Sequence, residues 1–472
     1  MTIYHKSRRN FLKDSLVAAA TGIAVPYVAG TQVARGATPG SDRLTVAAIG
    51  VGRRGSMVGM QAAELGQLIA CCDVHRDHAQ QFVASWEKKT QKTEKGGQCK
   101  IYSDYRELLE KEKGIEAVTI GSPDHWHVKI AIDAMKAGKH VYCEKPLTLT
   151  LEEGKIICEA VKKYGKVFQV GTQQRSEFNG CFLKAVAIAR SGRLGKKLRA
   201  TSSVGVAGPR ILNSEFGPFP TEASPPVLDW DLWLGQAPEV PFCAKRADWT
   251  FRYWYEYSGG QVTDWGVHHT DIAFWALAGQ DGCAIEAEAC SSKPMNVDLT
   301  KSRDMLLGKI APQDMPVAYN VAREFDVDIK LSTGNVIKLV SGTNELILEG
   351  EEGKIRVNRG GLTGKLVEQI DADPQAKKEI EELMLAIYGG PIPPGKKNQH
   401  MQNFFDCVAS GKQPVANVRD HVRAVNACHL ANIALLVGRK VQYDPTTGKF
   451  GTDAEANGLI KRPRRPAFDI RL

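Results

Sequence analysis

The stretch Leu44-Thr-Val-Ala-Ala-Ile-Gly-Val-Gly-Arg-Arg-Gly55 decides how the first half of this chain folds. Its first six residues are apolar and β-rich, as in a strand buried on both faces. The next six set glycines at positions 50, 52 and 55. Gly50 permits a tight turn, Gly52 lets the backbone approach a pyrophosphate, and Gly55 lets a following helix pack close to the strand. Ser56–Leu65 has helix-forming composition, and the free N–H groups at its start suit phosphate. Gly66 stops that helix, and Leu68–Cys72 is a second apolar run ending in Asp73. Strand, glycine turn, helix, strand and acid in this order form a dinucleotide-binding fingerprint. Gly50, Gly52, Arg53, Arg54 and Gly55 are therefore cofactor-binding candidates. So is Asp73, 21 residues after Gly52, where a carboxylate accepts from both ribose hydroxyls and repels a 2′-phosphate. The expected cofactor is NAD; Arg76 close by keeps NADP open.

Outward from this core the alternation continues. Tyr105–Lys111 reads as a helix, Ala117–Ile120 as a strand, Ser122–His127 as a loop, Val128–Ala137 as a helix and His140–Cys143 as a strand. Such repetition predicts a doubly wound parallel sheet, with ligands at the carboxyl ends of its strands. Ser122, Pro123, His125 and His127 lie at one such end and are candidate cofactor contacts, although His125–His127 also suits the mere start of a helix. Glu144-Lys145-Pro146 lies at another. A lysine there reaches a nicotinamide and a substrate hydroxyl; by spacing alone the segment suits an ordinary charged turn.

Three segments together, Gly50–Gly55, Ser122–His127 and Ala137-Gly-Lys-His-Val-Tyr-Cys-Glu-Lys-Pro-Leu147, resemble the Gfo/Idh/MocA oxidoreductase family. Gly259-Gly-Gln-Val-Thr-Asp-Trp-Gly-Val-His-His-Thr-Asp271 is similar to that family's Asp-x-x-x-His segment. The resemblance implies an α/β protein. A Rossmann domain over 43–165 precedes an α/β domain over 166–445, whose open, largely antiparallel sheet forms a homo-oligomer interface; 446–472 is a tail. It implies catalytic roles for Lys145, Asp264 and His268, a place beside the cofactor for Glu144 and Gln174, and a substrate contact for Arg175. The chemistry is coherent. Asp264 and His268 are four apart and share a face if both are helical. An imidazole nitrogen then moves the substrate hydroxyl proton, Asp264 orients ring or substrate, and Lys145 stabilises alkoxide character. Hydride transfer belongs to the cofactor.

His268 and His269 beside Asp264 and Asp271 raise the question of a metal. A zinc site needs three or four convergent ligands and adjacent helical histidines diverge, so none is expected. Trp249, Phe251, Arg252, Tyr253, Trp254, Tyr255 and Tyr257 crowd just before this segment. Aromatic faces stack on sugar rings and Arg252 can bond hydroxyls, making Arg252 and Tyr253 substrate candidates; an aromatic core explains the cluster equally well. Val204–Pro226 reads as a long loop. Phe325–Leu331, Val336–Val340 and Leu346–Leu348 read as strands, and Met401–Ala409 and Val422–Val437 as helices.

The remaining features bound location and partners. Ser7-Arg-Arg-Asn-Phe-Leu-Lys13 followed by a weakly apolar stretch and small residues to Ala37 reads as a twin-arginine signal over 1–37. It predicts a periplasmic or extracellular protein that keeps its cofactor tightly and has no stable membrane anchor after cleavage. The formal charge is +9, of which +4 lies in that leader. The rest is dispersed, and the dense Lys461–Arg465 run reads as a solvated tail, so nucleic acid is not an expected partner. Eleven cysteines without a Cys-x-x-Cys pair are expected to be mostly reduced core residues. The expected partner is a sugar, cyclitol or glycoside. The expected activity is hydride transfer to or from a hydroxyl-bearing carbon. An NAD-dependent glycosidase or lyase acting by transient oxidation is an alternative, and a nucleotide-binding sensor without turnover is a third.

Overall fold

A computed structural model of the chain describes residues 43–90, 98–205, 216–279, 281–393 and 397–472. The leader over 1–37 lies outside them. The first sheet is built from β1 (Thr45–Ile49), β2 (Gln67–Cys72), β3 (Lys100–Tyr102), β4 (Ala117–Ile120), β5 (His140–Cys143) and β6 (Phe168–Val170). Its order is β3-β2-β1-β4-β5-β6 and every pairing is parallel. The crossovers are α1 (Arg53–Leu65), α2 (Arg76–Thr90), α3 (Tyr105–Lys111), α4 (His127–Lys136) and α5 (Leu151–Tyr164). The direction of winding reverses between β1 and β4, which opens a crevice between the loops that leave them. Those loops are the glycine turn and Ser122–His127. Burial of both faces explains the uninterrupted apolar strands: Val46–Ile49 and Ala117–Ile120 are buried throughout.

Two expected boundaries shift. The first sheet does not end at residue 165. Gly165 only caps α5, with φ +61 in the left-handed region, and β6 then adds the sixth strand. The tail is not a solvated appendage either. Phe468 and Ile470 are buried in the core beneath the first sheet, and Phe468 meets the Trp126 ring edge-on at 5.7 Å. The basic run before them is held by ion pairs, Arg464 to Glu152 at 2.9 Å and Arg465 to Asp231.

After α6 (Cys181–Arg190) the second sheet begins. Its strands are β7 (Arg199–Val204), β8 (Ala284–Pro294), β9 (Ala322–Leu331), β10 (Val336–Ser341), β11 (Glu345–Gly350), β12 (Gly353–Asn358), β13 (Gly361–Thr363) and β14 (Val441–Gln442). They run in the order β13-β12-β11-β7-β10-β9-β8-β14. Only β7 and β10 pair parallel; the other neighbours are antiparallel. One face is apolar by alternation, through Phe325, Val327, Ile329 and Leu331 on β9 and Ile337 and Leu339 on β10. Helices α7 (Gly266–Leu277) and α8 (Val418–Val437) pack against this sheet. The other face carries ion pairs such as Arg199–Asp328, at 2.8 Å. Residues 206–215 of the expected Val204–Pro226 loop lie outside the described residues, and 216–226 contain neither helix nor strand. The two sheets share one compact unit, Arg43–Leu472. All eleven cysteines are free thiols. Among the described residues no helix is long and apolar enough to cross a membrane.

Candidate active site

A cleft of about 770 Å³ runs from the glycine turn to the front of α7. At one end the backbone is packed without room for side chains. A Cβ on Gly55 would lie 1.7 Å from the Gly50 carbonyl oxygen, and one on Gly50, at φ +72, would lie 2.4 Å from the Ser122 nitrogen. Gly52, by contrast, faces open space apart from the His78 ring at 3.7 Å. It also caps α1 without a side-chain acceptor, so the first-turn N–H groups of that helix remain for a ligand. Asp73 accepts from the Val51 and His75 backbone nitrogens, each at 2.8 Å, one on either carboxylate oxygen. Each oxygen keeps a lone pair for a ribose hydroxyl. Arg53 lines this end and Ser122 Oγ is buried there without a partner. This cradle fits a dinucleotide.

The loops after β4 and β5 are tied together. His127 lines the cleft, but its ring nitrogens sit 2.9 Å from the Ser122 carbonyl and 2.7 Å from the Pro146 carbonyl. It therefore holds the two loops in register rather than offering a free nitrogen. Glu144 accepts from Arg54 at 3.0 Å and from Gln173 at 2.8 Å, which links the end of β5 to the start of α1. Pro123 lines the cleft beside them.

At the other end Lys145 Nζ donates to Asp264, at 2.6 Å to Oδ1 and 3.0 Å to the carbonyl. Arg252 donates to the remaining Asp264 oxygen at 2.6 Å. Burial works against the carboxylate, yet Arg252 and Lys145 together hold its pKa down at about 2. His268 faces the same space, with Nδ1 buried and unpartnered. Burial, with Lys145 and Arg359 nearby, pushes its pKa well below 6.5, so the ring is neutral at pH 7 and free to accept a proton. The expected single helical face is not the device that joins them. Helix α7 starts at Gly266, and Asp264 sits in the turn before it, held by its backbone N–H to Gly260 at 2.9 Å.

Four expected contacts are elsewhere. Arg175 is buried, pairing with Asp271 through two hydrogen bonds at 2.7 and 2.8 Å and lying over Trp275 at 4.7 Å. Its carboxylate partner on α7 draws it into the core. Gln174 is also buried, 3.4 Å from His269 Nδ1. The short 3₁₀ turn Gln173–Arg175 sends neighbouring side chains in different directions, and Gln173 is the one that reaches the cleft. His125 is fully buried, with Nε2 3.0 Å from the Trp233 carbonyl. Tyr253 lies beneath the cleft against Tyr319, with ring centroids 5.3 Å apart. The aromatic cluster thus divides: Trp249, Phe251 and Arg252 line the cleft, whereas Tyr253, Trp254, Tyr255 and Tyr257 are core.

Among the cleft residues that sequence reasoning passed over, four bear on the chemistry. Asp124 is buried and accepts from Ser258 Oγ at 2.5 Å, and burial raises its pKa. Trp265 and Phe178 offer ring faces, and Arg359 reaches in from the β12–β13 turn. Asp124 stood inside a motif already marked, and Trp265 inside another. Phe178 and Arg359 have no local signal, because distant segments place them. Among the described residues no group of three His, Cys, Asp or Glu side chains is arranged to hold a metal.

Comparison with known proteins agrees with this architecture. A model described as an oxidoreductase family with an NAD-binding Rossmann fold matches residues 44–172. One described as the same family's C-terminal alpha/beta domain matches 188–303 and 304–470. An inositol 2-dehydrogenase of Salmonella paratyphi B is 30% identical over 133 residues, 28% of this chain and 36% of that protein. Glycosyl hydrolase family 109 protein 1 of Akkermansia muciniphila is 34% identical over 121 residues, 24% of each. The matched segments thus span about a third or less of these curated relatives. The WlbA dehydrogenase of Chromobacterium violaceum, solved with NADH and UDP-GlcNAcA, is 15% identical over 86% of this chain and 97% of that one, with a TM-score of 0.56, and shares the fold. With both of its domains matched by the family's models, the chain belongs to the Gfo/Idh/MocA oxidoreductase family and carries that family's NAD-binding Rossmann fold.

Proposed function

We propose that this chain transfers a hydride between NAD and a hydroxyl-bearing carbon of a sugar or cyclitol ring. The observation that carries the reading is the convergence of Lys145, Asp264 and His268 on one cleft whose far end is the glycine cradle. Bound NAD supplies the hydride acceptor or donor. The first turn of α1 and Arg53 would hold the pyrophosphate, and Asp73 would hold the ribose. Asp264, ionised at all ordinary pH, fixes Lys145 through two of its three N–H bonds. The third is left for the substrate oxygen, where it stabilises alkoxide character. Neutral His268 takes the hydroxyl proton during oxidation and returns it during reduction. Trp249, Phe251 and Trp265 offer faces for the C–H side of a ring.

The test is Lys145→Ala, assayed on a panel of sugars and cyclitols with nucleotide content measured in parallel. Turnover should fall by about 10²- to 10⁴-fold with the nucleotide still bound. Full activity in this variant would remove the central role assigned to Lys145.

A second reading is supported by the likeness to the glycosyl hydrolase family 109 protein. Oxidising a ring hydroxyl to a ketone acidifies the neighbouring C–H; a base takes that proton, the glycosidic oxygen leaves as the alcohol, water adds to the resulting enone, and the hydride then returns to the ketone. Glycoside cleavage with many turnovers and no net NADH distinguishes this route from simple dehydrogenation. The twin-arginine leader supports export of the folded, nucleotide-loaded protein; N-terminal sequencing of the secreted form tests it, and a cytoplasmic product keeping Met1 would refute it.

A further inference from the structure

Five Arg and Lys side chains line the described cleft. Three are neutralised there: Arg54 by Glu144, and Lys145 and Arg252 by the single carboxylate of Asp264. Among the described residues Arg53 and Arg359 have no ion-pair partner. Arg53 belongs to the phosphate cradle. Arg359 stands at the opposite end, in the turn that β12 and β13 enclose through the Asn358–Gly361 pairing.

Arg359 is held in place without being neutralised. Its guanidinium lies over the Trp265 ring at 4.5 Å and the Phe178 ring at 5.0 Å. Contacts of this kind attract the cation to the ring faces without using up its N–H donors. Phe178 is presented at some cost. It and Asn179 have φ of +61 and +55, a left-handed conformation that an aromatic residue seldom adopts. Trp265 in turn touches the His268 ring, with centroids 5.3 Å apart. Partial desolvation and the nearby Arg54 disfavour the charge on Arg359 more than the carboxylates of Glu177, Glu144 and Asp264 favour it, and none of the three lies within ion-pair distance of it. The arrangement is a planar cation seated over two rings, with no carboxylate in ion-pair contact among the described residues, one indole away from the proton-accepting histidine.

We propose that Arg359 receives an anionic oxyacid group, a carboxylate or a sulfate, carried by the ring whose hydroxyl Lys145 and His268 address. A planar fork of N–H donors matches two oxyanion oxygens at once. The class of substrate is then an acidic sugar or cyclitol, such as a uronic acid or a ring sulfate, with the acidic substituent directed toward Trp265 and Phe178. This rests on the hydride-transfer reading for the identity of the ring, but not for the presence of an anion receptor.

The experiment uses the full-length, NAD-loaded protein. Methyl glucoside, methyl glucuronide and glucose 6-sulfate are titrated calorimetrically, and NADH formation is followed separately on the same compounds. At least one acidic probe should bind roughly 10- to 100-fold more tightly than the glucoside, and the two acidic arms tell carboxylate from sulfate. Arg359→Gln should erase that preference, and Arg359→Lys should keep only part of it, because the fork is lost. Nucleotide content and the thermal transition of each variant report whether the protein is folded. Equal binding of acidic and neutral probes by the unaltered protein would overturn the proposal. So would an Arg359→Gln variant that weakens glucoside and glucuronide by the same factor. Turnover of neutral rings without acidic preference would sink the receptor alone. Arg359-dependent binding of an acid with no NADH from any ring would keep the receptor and sink the hydride-transfer reading.

Discussion

Arg175→Met separates two accounts of one residue. The motif placed Arg175 on the substrate; the structure places it in the core. Its guanidinium makes two hydrogen bonds to Asp271 and one to the Val415 carbonyl at 2.9 Å. The side chains of Arg175 and Asp271 are 2% and 0% exposed, which rules out water as a substitute partner. Removing one member of such a pair strands a buried charge and costs about 3–5 kcal/mol. For the 430 residues of the Arg43–Leu472 unit, unfolding entropy is about 0.9 kcal/mol/K, so the melting temperature should fall by about 4 °C. The double variant Arg175→Met/Asp271→Leu should recover most of that loss, since well-packed apolar groups replace a buried pair at little cost. Urea and thermal unfolding measure both variants, and the Kd for NADH and the KM for any substrate found are measured beside them. A Met variant of unchanged stability whose KM alone rises would return Arg175 to the substrate and refute the core assignment.

Other outcomes follow from the same geometry. Gly55→Ala puts a methyl group into the Gly50 carbonyl and should weaken NADH at least about 100-fold in a fluorescence titration; an unchanged Kd would mean the turn need not be this tight. Purified without added cofactor, the protein should release about one NAD per chain on denaturation. Recovered NADP would show that Arg76 rather than Asp73 decides the choice. Stability should also fall in mild acid. Burial, the leading cause, lowers His125, His421 and His429 to about 3 and His400 to about 4, against 6.5 for a free ring. Below pH 6.5 the unfolded chain therefore binds protons that the folded chain refuses, and each ring withdraws about 1.4 kcal/mol per pH unit until its own pKa is reached. A melting temperature that is flat between pH 7 and pH 5 would contradict this.

The parts of the fold that could be read from sequence are those specified by short neighbouring segments. The boundaries of β4 and β5 match their apolar runs, and those of α3 its helix-forming stretch, because Gly or polar turns bracket each within a few residues. Lys145 and the glycine turn are likewise local signals at strand ends. What escaped was placed by long-range contact. Gln173 and Gln174 have the same side chain, and only the rotation of one 3₁₀ turn decides which meets Glu144. His125 looks like a cleft residue until Trp233, over a hundred positions away, supplies its partner. The basic tail looks solvated until Glu152 and Asp231 are seen to hold it. Arg359 has no motif around it; the rings beneath it come from α7's leading turn and from the turn before α6.

The close approach of Gly50, Gly55 and Gly121 also limits how this protein can be altered. A Cβ on Gly121 would fall 2.4 Å from the Gly55 Cα, just as one on Gly55 meets the Gly50 oxygen. The obstacle in each case is main chain, not a neighbouring side chain that a second substitution could trim. No compensating mutation can open the space, so the three positions form a trap from which single amino-acid steps lead only downhill. Redesign or drift of nucleotide preference must therefore run through Asp73 and His78, whose side chains rather than backbone border the cleft, and through Arg76 between them in sequence.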